Sequence, residues 1–401
     1  MHDVPAKNPA KLFEIFRHRG VELPNRVVIS PMQQYAAEAS GLVNDWHFVH
    51  LTKLAVGGAG LVFTEALAVE PKARLTYGDL GIWSDDHIPG LARVADSIRA
   101  NGAIAGAQLI HAGRKASMSR PWHGYVPLTE EDARERGETP WETISSTSVP
   151  ANPGWHVPTA LDEAGIEEVL ALFEQAARRA NRAGFDVLDI HGAHGYLIHC
   201  FLSPLANERS DRYGGSLENR MRFAIQVAEA VRRGWPEEKP LYYRLSCVDG
   251  IDGGWDLEES VALSRRLKAC GVDVIDCSSG GLTQRATPAI IPRAPGFQVP
   301  YAARIRREAD IPTMAVGLIT DPFHAEEIVA AGDADLIAIG RESLFNPHWP
   351  HHAAQALGAD PGFEDWAPQY GWWLYRRERA RQAAKDAPAE NQQTGTAAAQ
   401  A

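Results

Sequence analysis

Cysteine is scarce in this 401-residue chain: Cys200, Cys247, Cys270 and Cys277 are the only four, and no two of them stand in a C-x-x-C spacing. That argues against a disulfide framework, a zinc site and an iron–sulfur cluster, and leaves reduced, mostly buried thiols. Positive charge is in deficit as well, with 40 Lys+Arg against 51 Asp+Glu and a net charge of −11. Such a balance repels a phosphate backbone or an anionic lipid surface, so neither nucleic acid nor membrane is an expected partner. No run of about 18 uninterrupted apolar residues occurs. The opening MHDVPAKNPAKLFEIF has no apolar stretch of the signal-peptide kind, and the chain reads as cytoplasmic. G-x-G-x-x-G, Walker and H-E-x-x-H sequences are all missing, which argues against a separate nucleotide-binding domain and against a zinc hydrolase.

What is present is alternation. With 45% apolar and 23% charged residues the chain can bury a large core, and its short apolar runs are separated by amphipathic segments, the pattern of a parallel sheet with helical crossovers. The spacing predicts strands over Arg26–Met32, Gly60–Ala66, Ala103–His111, Phe185–His191, Leu241–Cys247, Asp273–Ser278, Pro312–Gly317 and Asp335–Gly340. Helices are expected over Trp46–Val56, Asp86–Ala100, Glu163–Arg182, Leu217–Arg233, Leu257–Ala269, Tyr301–Glu308, Pro322–Ala331 and Pro347–Leu357. Asp45, Asp85, Asp162, Ser216, Asp256, Asp321 and Asn346 offer side-chain oxygens as N-caps. Eight strand–helix pairs fit an α/β fold of the (β/α)₈ barrel type better than an open sheet. Residues 1–358 would form that barrel, with 112–160, rich in Pro, Gly, Ser and Trp, as a long capping insertion after the third strand. Residues 359–383 would form a C-terminal arm and 384–401 a disordered tail.

In such barrels the reacting groups sit where strands end. The ends here supply Ser30-Pro31-Met32-Gln33-Gln34-Tyr35, Glu65-Ala66, Gln108, His111, His191, His194, Tyr196 and Arg244. A rim of His, Tyr, Gln and Arg almost without paired carboxylates argues against a glycosidase, which needs two as acid and base. His-x-x-His-x-Tyr lacks an obvious third ligand, so no metal is expected. Gly317 and Gly340-Arg341 end the last two strands, where backbone N–H groups and a guanidinium can hold a phosphorylated cofactor.

The segments Asn25–Met32, Gly81–Asp85, Gln108–Lys115, His191–Leu197, Asp211–Ser216 and Ile339–Arg341 resemble, in order and spacing, the Old Yellow Enzyme family, and within it the thermophilic-like branch that includes the bacterial xenobiotic reductases. The resemblance implies non-covalent FMN, held by Ser30, Pro31, Met32, Gln33, Ala66, Gln108 and Arg244, with Gly317, Gly340 and Arg341 at its phosphate. It implies NADPH or NADH as reductant and an activated alkene as small-molecule substrate: enones, maleimides, nitroalkenes or quinones. His191 and His194 would polarise the substrate oxygen, Tyr196 would protonate Cα after hydride transfer from flavin N5, and Tyr35 would reach the substrate. Arg114 and Lys115 begin the capping loop. A homodimer or homotetramer is expected, with Trp373 in Gln369-Tyr-Gly-Trp-Trp-Leu374 the candidate to enter a neighbouring active site; the alternative is that Trp372 and Trp373 pack the arm onto their own barrel. Gln33 stands where the branch usually has a cysteine beside the flavin. Other readings are a dedicated biosynthetic or catabolic flavin reductase, a desaturase, or a flavin-free binding barrel.

Overall fold

Apolar runs buried on both faces have no solvent side to mark with polar residues, and here eight of them close on one another. The computed structural model describes residues 7–283 and 291–386. Its central strands are β1 (Val27–Ile29), β2 (Leu61–Ala68), β3 (Ile104–Ile110), β4 (Val187–Gly192), β5 (Leu241–Ser246), β6 (Val274–Ser278), β7 (Thr313–Ala315) and β8 (Leu336–Ile339). They pair in parallel, in sequence order, and β8 returns to β1, giving a closed barrel. All eight overlap the runs expected from the sequence, and the fold is the (β/α)₈ barrel that the alternation predicted.

Alternation within a strand decides which core each residue joins. Val28, Phe63, Val187, Tyr242, Met314 and Leu336 belong to the cluster inside the barrel. Val27, Ile29, Val62, Leu188 and Ile190 belong to the larger layer between strands and helices. An antiparallel hairpin, Phe16–His18 with Val21–Leu23, was not anticipated because two three-residue strands leave no readable period. Its Phe16 and Leu23 join the inner cluster, so it plugs the N-terminal end of the barrel.

The crossover helices follow the sequence closely. In Glu163–Arg182 the buried residues Ile166, Val169, Leu170, Phe173, Ala176, Ala177 and Ala180 recur at helical spacing, and Asp162 accepts from Gly165 N at 2.8 Å. Ser216, Asp256 and Asp321 also cap as expected. Three caps differ. Asn44, not Asp45, accepts the capping bond of Asp45–Val56. A 3₁₀ turn, Asp85–His87, precedes Ile88–Ala100 and begins at Ser84. Trp349–Leu357 starts after His348 without a side-chain cap, not after Asn346. In the first two cases neighbouring polar residues compete for the cap, and backbone direction decides between them.

Between β3 and Glu163–Arg182 the chain makes 3₁₀ turns at Gly113–Lys115 and Pro121–His123, a short helix Glu130–Arg136, and a two-residue parallel pairing of Ile144–Ser145 with Thr159–Ala160. The arm forms a helix, Pro368–Asp386. The start of the arm, Trp366–Gln369, lines one cavity with Asn25 and Ala100–Gly102 at the N-terminal ends of the strands. The expectation of disorder for the tail falls, beyond Asp386, outside the described residues. Among the described residues no helix is long and apolar enough to cross a membrane.

Glu65 is fully buried on β2, with His47 Nε2 at 3.5 Å from its Oε2. Burial pushes the Glu65 carboxyl well above the usual carboxylate range and pulls His47 down to about 4, both shifts favouring the neutral forms of the pair. Glu65→Gln, which keeps shape and neutrality, is therefore expected to change unfolding free energy by less than about 1 kcal/mol. A loss of about 3–5 kcal/mol in denaturant titration would mean that an ion pair had been broken instead.

Candidate active site

The site is assembled where β4, β5 and β6 end. The backbone turns sharply after β4: His194 has φ 60° and Gly195 φ 73°, both left-handed. At Gly195 a Cβ would stand 2.5 Å from Gly281 O, so only glycine lets this turn approach the loop after β6. Two serines opposite each other in the β5–β6 register fix the turn. Ser246 Oγ accepts from His194 N at 3.0 Å and donates to Gly280 O at 2.8 Å. Ser278 Oγ lies 2.7 Å from His194 Nε2. Lys115 Nζ, from the capping segment, donates to His194 O at 2.9 Å and to Gly281 O, and burial pulls its ammonium down to about 7.

His191 and His194 are brought together, His191 Nε2 lying 3.2 Å from His194 Nδ1. Burial, with Arg244 among the nearby cations, holds both imidazoles well below their ordinary range, so they are neutral at pH 7. Tyr196 stands edge-on to His191, ring centroids 4.9 Å apart. Burial raises its phenol well above the usual value. Tyr35 (φ 55°) and Tyr125 (φ 52°) bring two more phenols towards it, the Tyr35 and Tyr125 rings being 6.4 Å apart. Tyr125 packs with Tyr196 against Ala66, Ile110 and Ala112.

The strand interior supplies a second, charged layer. Arg244 on β5 pairs in register with His191. Its Nη1 donates to Ser30 Oγ at 3.1 Å and its Nε stands 3.4 Å from Asp276 Oδ2. Gln108 on β3 donates from Nε2 to Asp189 Oδ2 at 2.6 Å, which turns its own carbonyl oxygen away from the carboxylate. Beside it in register is Ala66, whose N–H donates to Gln33 Oε1 at 2.7 Å. A register shift between Phe63 and Ala66 marks a bulge in β2 beside the site. Burial raises both Asp189 and Asp276.

One cavity of about 430 Å³ collects His194, Tyr196, Arg244, Gly317, Gly340 and Arg341 of the expected residues, together with Lys115, Tyr125 and Ser278. This lies in the roughly 300–1,000 Å³ range of small-molecule pockets. Ser30 and His191 reach its lining through Arg244 and His194. Met32 packs on the core with its Sδ 3.9 Å from where a Cβ on Gly340 would be, and Pro31 is half-buried next to it. Trp373 is not brought to this cavity: it is 65% exposed and Trp372 56%, on the arm at the opposite end of the barrel. Arg376 covers the Trp372 ring at 4.7 Å, and the two indoles stand edge to face with centroids 4.5 Å apart. Among the described residues no three His, Cys, Asp or Glu side chains are grouped to hold a metal ion.

Reading strand ends left out Tyr125, Ser246, Ser278, Asp189 and Asp276. The two aspartates carry a signal, since a carboxylate at an inward position of an apolar strand needs a partner. Ser278, the last residue of its expected strand, was visible as a strand end. Tyr125 had no signal, because nothing in a loop of this composition tells which aromatic turns inward.

The model of the NADH:flavin oxidoreductase / NADH oxidase family matches residues 11–360. An NADPH dehydrogenase of Geobacillus thermodenitrificans is 44% identical over 348 residues, covering 86% of this chain and 94% of that protein. One from Halalkalibacterium halodurans is 44% identical, covering 87% and 95%. Among solved structures, morphinone reductase in complex with tetrahydroNAD superposes with a TM-score of 0.69 at 25% identity, covering 88% of this chain and 92% of that one. A barrel of this topology, a His–His–Tyr rim over a buried arginine, and sequence agreement across nearly the whole barrel lead to one conclusion: the chain belongs to the NADH:flavin oxidoreductase / NADH oxidase family, the Old Yellow Enzyme family, and is a flavin-dependent oxidoreductase.

Proposed function

We propose that this enzyme is an ene reductase, using NADPH or NADH to reduce activated C=C bonds in enones, maleimides, nitroalkenes or quinones. The observation that supports it most is the convergence of two neutral imidazoles and a protonated phenol at one rim of a single cavity.

The residues present fit FMN, the cofactor of the family. Gln33 Nε2 is buried without a hydrogen-bond partner, an expensive condition unless a ligand supplies an acceptor. Gln108, its N–H₂ held by Asp189, has a carbonyl oxygen left to accept a ring N–H. Ser30, Pro31, Met32, Gln33 and Ala66 would then hold the isoalloxazine, Gln108 and Arg244 its pyrimidine edge, and Gly317, Gly340 and Arg341 the phosphate. When bound, FMN supplies the hydride that it has taken from the nicotinamide.

The chain's own part is to polarise and to protonate. His191 and His194, being neutral, donate N–H bonds to the substrate oxygen, where negative charge grows as the double bond is attacked. Tyr196 holds its proton up to high pH and delivers it to Cα. Tyr35, on the loop after β1, would reach the same substrate. Trp373, exposed and remote from its own cavity, would line the site of a neighbouring copy in a homodimer or homotetramer.

Recording the visible spectrum with 4-hydroxybenzaldehyde tests the reading. A flavin spectrum that gains a long-wavelength charge-transfer band supports a phenolate held at the His pair over the ring. A protein that binds no FMN, or FMN without such a band, sinks it.

Gln33 offers a separate test. Its free N–H₂ beside Ala66 can donate to the flavin, and Gln33→Cys removes that bond. A hydrogen bond is worth about 0.5–1.5 kcal/mol net, so the two-electron midpoint potential is expected to move on the order of 10–30 mV. An unchanged potential in spectroelectrochemical titration would rule out the contact.

A further inference from the structure

We infer that Tyr125 and Tyr35 form a proton relay behind Tyr196: as Tyr196 protonates Cα, Tyr125 hydrogen-bonds the oxygen left behind and returns a proton to it. The inference rests on the proposal that Tyr196 is the acid of an ene reductase.

Giving up a proton leaves Tyr196 with a charge to stabilise. Burial raises its phenol well above the ordinary value, so a bare phenolate is unfavourable there. Lys115 stands over the ring, Nζ 5.8 Å from its centroid, but donates to His194 O and Gly281 O. The group that reaches the phenol oxygen is another phenol. Tyr125 is a side-chain hydrogen-bond partner of Tyr196 on one side and of Tyr35 on the other. Among the described residues no carbonyl or carboxylate hydrogen-bonds any of the three hydroxyls.

The backbone shows that this meeting is built. Tyr35 and Tyr125 both sit in the left-handed region, φ 55° and 52°, which side chains rarely adopt. One small loop holds both. Ser119 N donates to Val126 O at 2.8 Å and Val126 N to Ser119 Oγ at 3.2 Å, closing the turn that carries Tyr125. Arg120, in the same turn, donates from Nε to Tyr35 O at 3.1 Å and pairs with buried Glu138. At Gly78 a Cβ would stand 2.3 Å from Tyr35 O, so a glycine makes room for that main chain. The Tyr35 ring meets Trp122 edge-on at 6.1 Å, and Trp122 is 63% exposed, so the row of phenols runs from the cavity wall towards solvent.

Each step balances. The Tyr196 O–H breaks as the Cα–H bond forms, and the Tyr125 O–H breaks as that of Tyr196 re-forms. Tyr35 then restores Tyr125, and water at the mouth restores Tyr35, so one solvent proton has entered the product. Burial raises the phenol of Tyr125, while its hydrogen bonds to the other two oppose the rise and make it the readier donor. In this role Tyr125 and Tyr35 act through Tyr196.

The test mixes FMN-loaded, reduced protein with 1-nitrocyclohexene in stopped flow. Hydride addition gives a nitronate that absorbs in the near ultraviolet until Cα is protonated, so flavin reoxidation and proton delivery are read separately. In Tyr125→Phe proton delivery is expected to slow about 10–100-fold more than reoxidation, the effect of losing one hydrogen bond to a charged oxygen. Tyr35→Phe should slow it by less. In H₂O–D₂O mixtures the wild-type protonation rate should fall along a curve, as with two protons in flight, and that of Tyr125→Phe along a straight line. An unchanged nitronate lifetime in Tyr125→Phe overturns the relay, and so does equal slowing of both phases. A straight line for the wild type also overturns it, and needs no variant to fold. If the nitroalkene does not reoxidise the flavin, or Tyr196→Phe protonates as fast as wild type, the reading of the site has failed and the relay with it. Nitronate that accumulates in Tyr196→Phe but not in Tyr125→Phe overturns the relay alone.

Discussion

Tyr196→Phe is expected to cut the rate of enone reduction by about 10²–10⁴-fold, the range for loss of a positioned general acid, while leaving reduction of the bound flavin by NADPH unchanged. The ring stays, so its edge contact with His191 at 4.9 Å stays, and only the proton donor is lost. Burial, reinforced by Tyr125 and Tyr35, raises the phenol well above its ordinary value and keeps it protonated at neutral and mildly alkaline pH. The wild-type rate should therefore show no titration of this acid between pH 6 and 9. Stopped-flow measurement of the two half-reactions separates the cases. Equal loss in both would mean that Tyr196 shapes the cavity rather than supplying the proton.

Arg244→Met is expected to destabilise the fold by about 3–5 kcal/mol, because it strands a buried carboxylate. Asp276 is fully buried and faces Arg244 Nε at 3.4 Å; Ser30 Oγ takes the other end of the guanidinium at 3.1 Å. Without the cation, Asp276 must bind a proton to remain inside. Its folded-state pKa, already raised by burial, then rises further above the unfolded value. The folded state binds the extra proton, so the variant gains stability as pH falls through that raised pKa, and its deficit against wild type should be greater at pH 8 than at pH 5. Denaturant titrations at the two pH values check this. Arg244→Met with Asp276→Asn should recover most of the stability but not FMN content, since the charge at the pyrimidine edge is still missing. Recovery of both would show that the arginine serves the barrel alone.

The sequence made most of the fold legible, because the signals were local. Eight buried parallel strands leave eight apolar runs, and helices such as Glu163–Arg182 write their buried face at 3.6-residue spacing. Where the reading overran, backbone geometry intervened. The first run continues to Met32, yet β1 stops at Ile29, and the chain leaves the barrel through Pro31 to bring Gln33 and Tyr35 over its end. The residues at strand ends were equally legible, since in a barrel they all gather at one rim.

Chemistry that depends on two distant residues was not legible. That His191 and His194 lie on one turn follows from three residues of spacing; that Ser278, 84 residues further on, reaches His194 Nε2 follows only from the closure of β5 onto β6. Tyr125 is one aromatic of several in the capping segment until a left-handed turn puts it against Tyr196. Trp373 could equally have packed inward or stood free. The sequence alone determined the barrel, its family and the rim of His, Tyr, Gln and Arg, because periodicity and motif spacing are properties of neighbours along the chain. The tertiary structure decided which proton donors face one another, which buried charges are paired and where the arm lies, because these follow from distances across space that no local pattern encodes.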